Sequence, residues 1–143
     1  MGPHEIAGFA SRLKSSIKRI SLAGGAREGI ERKRGDFVSD SVNKAGVKPV
    51  ISVANLTTSF IVEGQLRPVV RNISFDVAPR ETVAIVGESG SGKSVTALSI
   101  MRLISASSGR VEGSIRLGDR DLLTLPEHEM RKIRGNDIAM IFQ

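Results

Sequence analysis

Residues 87–94 read Gly87-Glu88-Ser89-Gly90-Ser91-Gly92-Lys93-Ser94, a full match to G-x-x-x-x-G-K-[ST]. The octapeptide constrains the fold because it works only as a turn between a buried strand and a helix. Its glycines let the backbone bend tightly and bring successive N–H groups toward phosphate oxygens. Lys93 supplies a point charge for the outer phosphates, and the Ser94 hydroxyl can complete a magnesium shell. The helix that follows, through Val95 onward, adds its own N-terminal N–H groups. Chance produces such a match in about one chain in a hundred of this length, so a flexible Gly/Ser turn is the alternative that the flanks must exclude. Thr82–Val86 is a short apolar, β-branched run ending at the first glycine, as a buried parallel strand does. From Ser94 to Ile104 there is neither Gly nor Pro, and Ala97, Leu98, Met101 and Ile104 recur at helical spacing, with Arg102 facing outward. Strand, phosphate loop and helix are therefore expected in that order, with a nucleoside triphosphate as the ligand class.

The 143 residues suffice for one modest domain. Cysteine is absent, which excludes a disulfide framework and thiolate metal sites. No apolar run approaches the ~20 residues of a spanning helix, and no signal-type hydrophobic core follows the N-terminus. Any membrane role read from the sequence is peripheral.

The net charge of +6 is unevenly spread: residues 1–49 hold ten Lys/Arg against five Asp/Glu, whereas residues 50–143 hold eleven against ten. The basic character belongs to an N-terminal extension rather than to a binding face of the domain. Within it, Ile6, Phe9, Ala10, Leu13, Ile17 and Ile20 fall on one helical face, so residues 5–22 can form a basic amphipathic helix. A membrane-surface helix, an organelle presequence and a disordered extension all fit that pattern. Residues 23–49 have the texture of a linker, and Arg32-Lys33-Arg34 lacks the aromatic or recognition helix of a nucleic-acid site. Nucleic acid is not an expected partner.

From Val50 the pattern becomes that of a folded domain, 50–143. Ile51, Val53 and Phe60-Ile61-Val62 read as strands, with a turn at Glu63-Gly64. Asn72–Val77 alternates as a half-exposed strand, and Ala78-Pro79-Arg80-Glu81 turns into the loop strand. Ser105–Gly109 ends the loop helix, Ser114–Leu117 is a short strand, and Pro126 and Gly135 bracket a helix over Glu127–Arg134. The last apolar stretch, Ile138–Gln143, reads as a strand ending on a glutamine.

With those elements placed, residues 50–143 resemble the beginning of an ABC-transporter ATPase subunit, most closely the dipeptide, oligopeptide and glutathione importers. Val70–Phe75, Ala84–Thr96, Met130–Gly135 and Ile138–Gln143 carry the resemblance, in family order and spacing. It implies an α/β P-loop NTPase fold: the N-terminal part of an ABC-type nucleotide-binding domain, with an antiparallel β subdomain beside the P-loop strand and helix. ATP and Mg2+ are the implied cofactors, held by Gly87 to Val95. Phe60 falls where the family places an aromatic that stacks on adenine, with ordinary strand core a close second reading of a lone Phe. Gln143 matches the glutamine that reaches the magnesium, so Ser94 and Gln143 are the implied metal contacts. Partners implied are membrane-spanning permease subunits and a second ATPase subunit, at the cytoplasmic face of the plasma membrane.

Two departures from the family pattern stand out. Arg80 occupies a position where glycine is common, and it carries strain if that turn needs φ > 0. The signature loop, the magnesium aspartate, the water-orienting glutamate and the switch histidine have no counterpart in the sequence, so no catalytic set is complete. His4 and His128 read as solvated. A chain with a phosphate cradle and no water-orienting group is expected to bind better than it turns over. A non-catalytic remnant that at most binds nucleotide is the competing reading; a small kinase fits the Met140–Gln143 ending poorly. Val83–Val86, central in the resembled fold, is expected to keep unpaired edges and to make the chain prone to aggregation.

Overall fold

The computed structural model describes residues 17–21 and 47–142. Its elements are β1 (Ile17–Ser21), β2 (Ile51–Val62), β3 (Gln65–Val77), β4 (Thr82–Val86), α1 (Lys93–Ile100), β5 (Gly109–Leu117), β6 (Arg120–Asp121) and α2 (Glu127–Ile133). The pieces read separately at Ile51 and Phe60, and at Asn72, are two long strands of one hairpin. Its tip is Glu63–Gly64, with φ of 53° and 75°, the two positive values a tight hairpin turn requires.

β5 pairs with the other edge of β2, and β6 with β5, so the antiparallel sheet has the order β3-β2-β5-β6. Bulges let the long strands curve. Asn55 and Asn72 sit at φ 52° and 47°, where a short amide side chain is tolerated. Their displaced backbone N–H groups donate to hydroxyls across the ladder, Asn55 to Ser74 Oγ at 2.8 Å and Asn72 to Thr57 Oγ1 at 3.0 Å. The curved sheet gathers Val53, Leu56, Phe75, Ile115 and Leu117 against Leu122, Met130 and Ile133, with Val83 and Ile85 of β4 and Ile100 of α1 packed on that core. Removing such side chains from water drives the assembly at about 25 cal/mol per Å2.

Pro126 and Gly135 bracket α2 as the sequence implies, with Glu127 and Glu129 in its first turn and Arg131 and Lys132 in its last, matching the helix dipole. Elsewhere the structure departs from the sequence reading. α1 stops at Ile100 instead of continuing toward Ile104. Arg102 adopts φ 51°, its N–H donates to Ser99 O at 3.0 Å, and Leu103 N–H donates to Leu98 O at 2.9 Å; these are the paired bonds of a Schellman termination. The Arg102 side chain does not face outward. Its Nη1 donates to Leu122 O and Leu125 O at 2.9 and 2.6 Å, bracing a residue in the left-handed region.

The run from Ile138 is not a strand. Only an isolated bridge joins Arg134 to Ile138, and Ile141 and Phe142 are 96% and 65% exposed. Apolar alternation makes a strand only where a neighbour completes the ladder, and among the described residues none lies beside 139–142.

The largest difference lies in the extension. Residues 17–21, placed by periodicity at the end of a helix over 5–22, form β1 and pair in parallel with β4, from Ile17 opposite Thr82 to Ser21 opposite Val86. Backbone pairing along an available strand edge outweighs the helical spacing there. One edge of β4 is thus covered, where no partner was expected; among the described residues its other edge has no strand partner. The remainder of the expected helix, residues 5–16 and 22, lies outside the described residues.

Candidate nucleotide-binding site

β4 delivers the chain to Gly87, and the loop is exposed from Gly87 to Gly90, including Glu88 and Ser89. Ser91 N–H closes a turn onto Glu88 O at 3.2 Å. Gly90 and Gly92 lie at φ 78° and 93°, which L side chains rarely adopt. Gly92 is required for a second reason: a Cβ there would stand 3.0 Å from Val70 Cγ2 and 3.2 Å from Val69 O. The loop therefore presses directly on β3.

Lys93 folds back into the loop. Its Nζ donates to Gly87 O at 2.8 Å and Glu88 O at 2.7 Å, with Ser91 Oγ at 3.5 Å. An ammonium held by neutral carbonyls can exchange onto phosphate oxygens, which are stronger acceptors. Ser94, in the first turn of α1, is exposed and presents its hydroxyl to solvent; Val95 beside it is half-buried.

α1 sits on the sheet by a polar face. Thr96 and Ser99 are fully buried. Thr96 Oγ1 donates to Gly92 O at 3.0 Å, Ser99 Oγ donates to Val95 O at 2.7 Å, and Ser99 Oγ lies 2.7 Å from Thr58 Oγ1 of β2. Of the apolar stripe read from the sequence, Met101 is buried, while Ala97, Leu98 and Ile104 are half-buried. The overlooked signal was the small series Gly92, Thr96, Ser99 at helical spacing, which lets helix and sheet backbones approach closely.

Phe60 follows Leu56 and Thr58 on the same face of β2, by strand alternation. It is half-buried, and its ring edge leans over Gly109, where a Cβ would come within 3.2 Å of Cδ1. The structure thus brings Phe60 onto the sheet face that carries α1 and the phosphate loop. Gln143 and His4 lie outside the described residues. His128 is 72% exposed with Nε2 3.3 Å from Glu129, as expected of a solvated histidine.

Sequence reading gave Arg134 no role beyond ending a helix. Its Nε donates to Met101 O at 2.9 Å, Nη2 to Arg102 O at 3.0 Å and Nη1 to Glu127 Oε1 at 2.6 Å. One guanidinium therefore ties the C-terminal end of α1 to α2. The hydrogen bond from Arg134 holds the Glu127 carboxyl below the ordinary range, against a smaller opposing effect of desolvation.

Among the described residues no group of three His, Cys, Asp or Glu comes together as a metal cage. The donor set fits Mg2+ carried by a nucleotide, which takes most of its ligands from phosphates and water and few from protein; Ser94 is the hydroxyl available to it. No helix among the described residues is long and apolar enough to cross a membrane.

Residues 70–143 match the family model described as ABC transporter. Among curated relatives, the dipeptide transport ATP-binding protein of Bacillus subtilis (strain 168) is 51% identical over 98 residues, 68% of this chain and 29% of that protein. The oligopeptide transport ATP-binding protein of the same strain is 48% identical over 95 residues, 66% of this chain and 29% of that protein. The glutathione import ATP-binding protein of Salmonella choleraesuis (strain SC-B67) is 50% identical over 102 residues, 67% of this chain and 16% of that protein. The chain spans less than a third of the length of these relatives.

Proposed function

The chain belongs to the ABC transporter family, and we propose that residues 50–143 hold Mg2+-ATP for a peptide-import ATPase. The observation that carries this reading is the Lys93 ammonium, enclosed by Gly87 O and Glu88 O at 2.8 and 2.7 Å in a loop with Gly90 and Gly92 in the left-handed region. In this reading, loop N–H groups from Glu88 to Val95 surround the phosphates, Lys93 neutralises the outer ones, and Ser94 with Gln143 contacts the metal. Phe60 offers a flat face to the base. Bound Mg2+ would supply charge neutralisation at the phosphates; the residues of this chain bind and orient.

Membrane-spanning permease subunits and a second ATPase subunit are the partners proposed, with the protein docked peripherally at the cytoplasmic face of the membrane. Relatives named for dipeptide, oligopeptide and glutathione transport support peptide-type solutes. Calorimetric titration of Mg2+-ATP into the parent and into Lys93→Ala tests the reading. Binding by the parent and its loss in the variant are expected; equal affinities would sink the loop assignment.

A further inference from the structure

We infer that Arg67 is a second cationic contact for the nucleotide, donating to the phosphate nearest the ribose. The inference rests on the ATP-binding reading above and adds a residue that the phosphate-loop pattern does not contain. Arg67 stands directly opposite Phe60 in the β2–β3 register, and residues opposite each other in an antiparallel pair project from the same face. That face carries the phosphate loop, because Gly92 packs on Val69 O and Val70 Cγ2. Arg67 lies two residues before Val69, about 7 Å along the strand. It therefore stands beside the platform proposed for the base, two residues from the stretch on which the loop proposed for the outer phosphates packs.

Its surroundings leave the charge available. Arg67 is exposed, and among the described residues no carboxylate pairs with it, whereas Arg110, Arg120, Arg131 and Arg134 all have carboxylate partners. A planar guanidinium donates readily to phosphate oxygens. Arg71 provides an internal comparison. It is exposed on the same strand, but the register shift between Thr58 and Ser59 makes Val69 an extra residue, so Val70, opposite Thr58, shares the face of Phe60 and Arg71 projects from the other.

The test uses the full chain with Lys93→Ala, Arg67→Gln, Arg67→Lys and Arg71→Gln, each titrated with Mg2+-ATP and Mg2+-ADP at low and high NaCl. Arg67→Gln should weaken both nucleotides by the same factor, about three- to tenfold at low salt. Arg67→Lys should recover part of the loss, and high salt should shrink it. Arg71→Gln should match the parent. Lys93→Ala should take more from ATP than from ADP, because Lys93 serves the outer phosphates. Arg67→Gln affinities equal to those of Arg71→Gln would overturn the inference, as would a loss confined to ATP. If Lys93→Ala also binds like the parent, the ATP reading itself fails; if only Arg67→Gln does, the ATP reading stands without Arg67.

Discussion

Replacing Arg80 with glycine should stabilise the protein, and the turn geometry gives the size of the effect. Ala78-Pro79-Arg80-Glu81 closes with Glu81 N–H on Ala78 O at 3.1 Å, and Arg80 lies at φ 63°. Proline second and a positive φ third is the type II pattern, which favours glycine at the third position. A left-handed backbone costs an L-residue about 1–2 kcal/mol, while glycine returns about 0.5–1 kcal/mol through its freer unfolded chain. The balance is a gain of about 0.5–1 kcal/mol, or roughly 2–8 °C in melting temperature for a domain of this size. Nothing opposes it: Arg80 is exposed, and the turn's other bond, Ala78 N–H to Glu81 Oε2 at 2.7 Å, does not involve it. Arg102 supplies the opposite case. It too has positive φ, at 51°, but its guanidinium serves Leu122 O and Leu125 O. Losing two bonds from a charged donor, at about 1.5–3 kcal/mol each, outweighs the backbone relief, so Arg102→Gly should destabilise. Urea unfolding of both variants checks the pair. An Arg80→Gly midpoint at or below the parent's, or an Arg102→Gly midpoint above it, would refute the reasoning.

Phe60→Ala should weaken ATP and GTP alike by about 1–3 kcal/mol, a stacking value; unchanged affinity in titration would make Phe60 ordinary strand packing. Glu127 has its carboxyl depressed by Arg134, so its contribution is present above the unfolded carboxylate value, about pH 4.3, and is lost as pH falls through the lower folded value. Thermal melts of Glu127→Gln should show a shallower acid loss than the parent, and identical acid slopes would contradict the pairing. Successive residues of an edge strand turn their N–H groups alternately toward and away from the partner. One of Arg19→Pro and Ile20→Pro should therefore speed amide exchange at Thr82–Val86; if neither does, β1 does not pair with β4.

The phosphate loop was legible because its fixed positions answer local demands: φ > 0 at Gly92, a cation at Lys93, a strand before and a helix after. α2 was legible for the same reason, since Pro126 and Gly135 act within one turn of their own positions. What failed depended on neighbours distant in sequence. Residues 139–142 have strand composition, but composition does not supply a partner. Ile17–Ser21 has helical spacing, yet an edge of β4 lies beside it. Asn55 and Asn72 gave no sign that they would carry bulges, because that need arises only when three strands are fitted into one register. Arg80 is the intermediate case: its sequence neighbours signalled the turn, and the structure shows the positive φ that makes it costly.

The helix behind the phosphate loop could not hold its own position. α1 has 8 residues, about 12 Å of helix, and isolated helices of that length are unstable in water. Its placement comes from three contacts along its length. Gly92 abuts Val69 and Val70 of β3 at the start, Ser99 meets Thr58 of β2 near the end, and Arg134 caps Met101 O and Arg102 O beyond it. The first two contacts tolerate no added bulk, since one leaves no room for a methyl group and the other is a bond between buried hydroxyls. The third is electrostatic and reaches across from α2, the helix that leads toward Gln143. The position of the loop that grips phosphate is therefore set jointly by the β2–β3 hairpin and by α2.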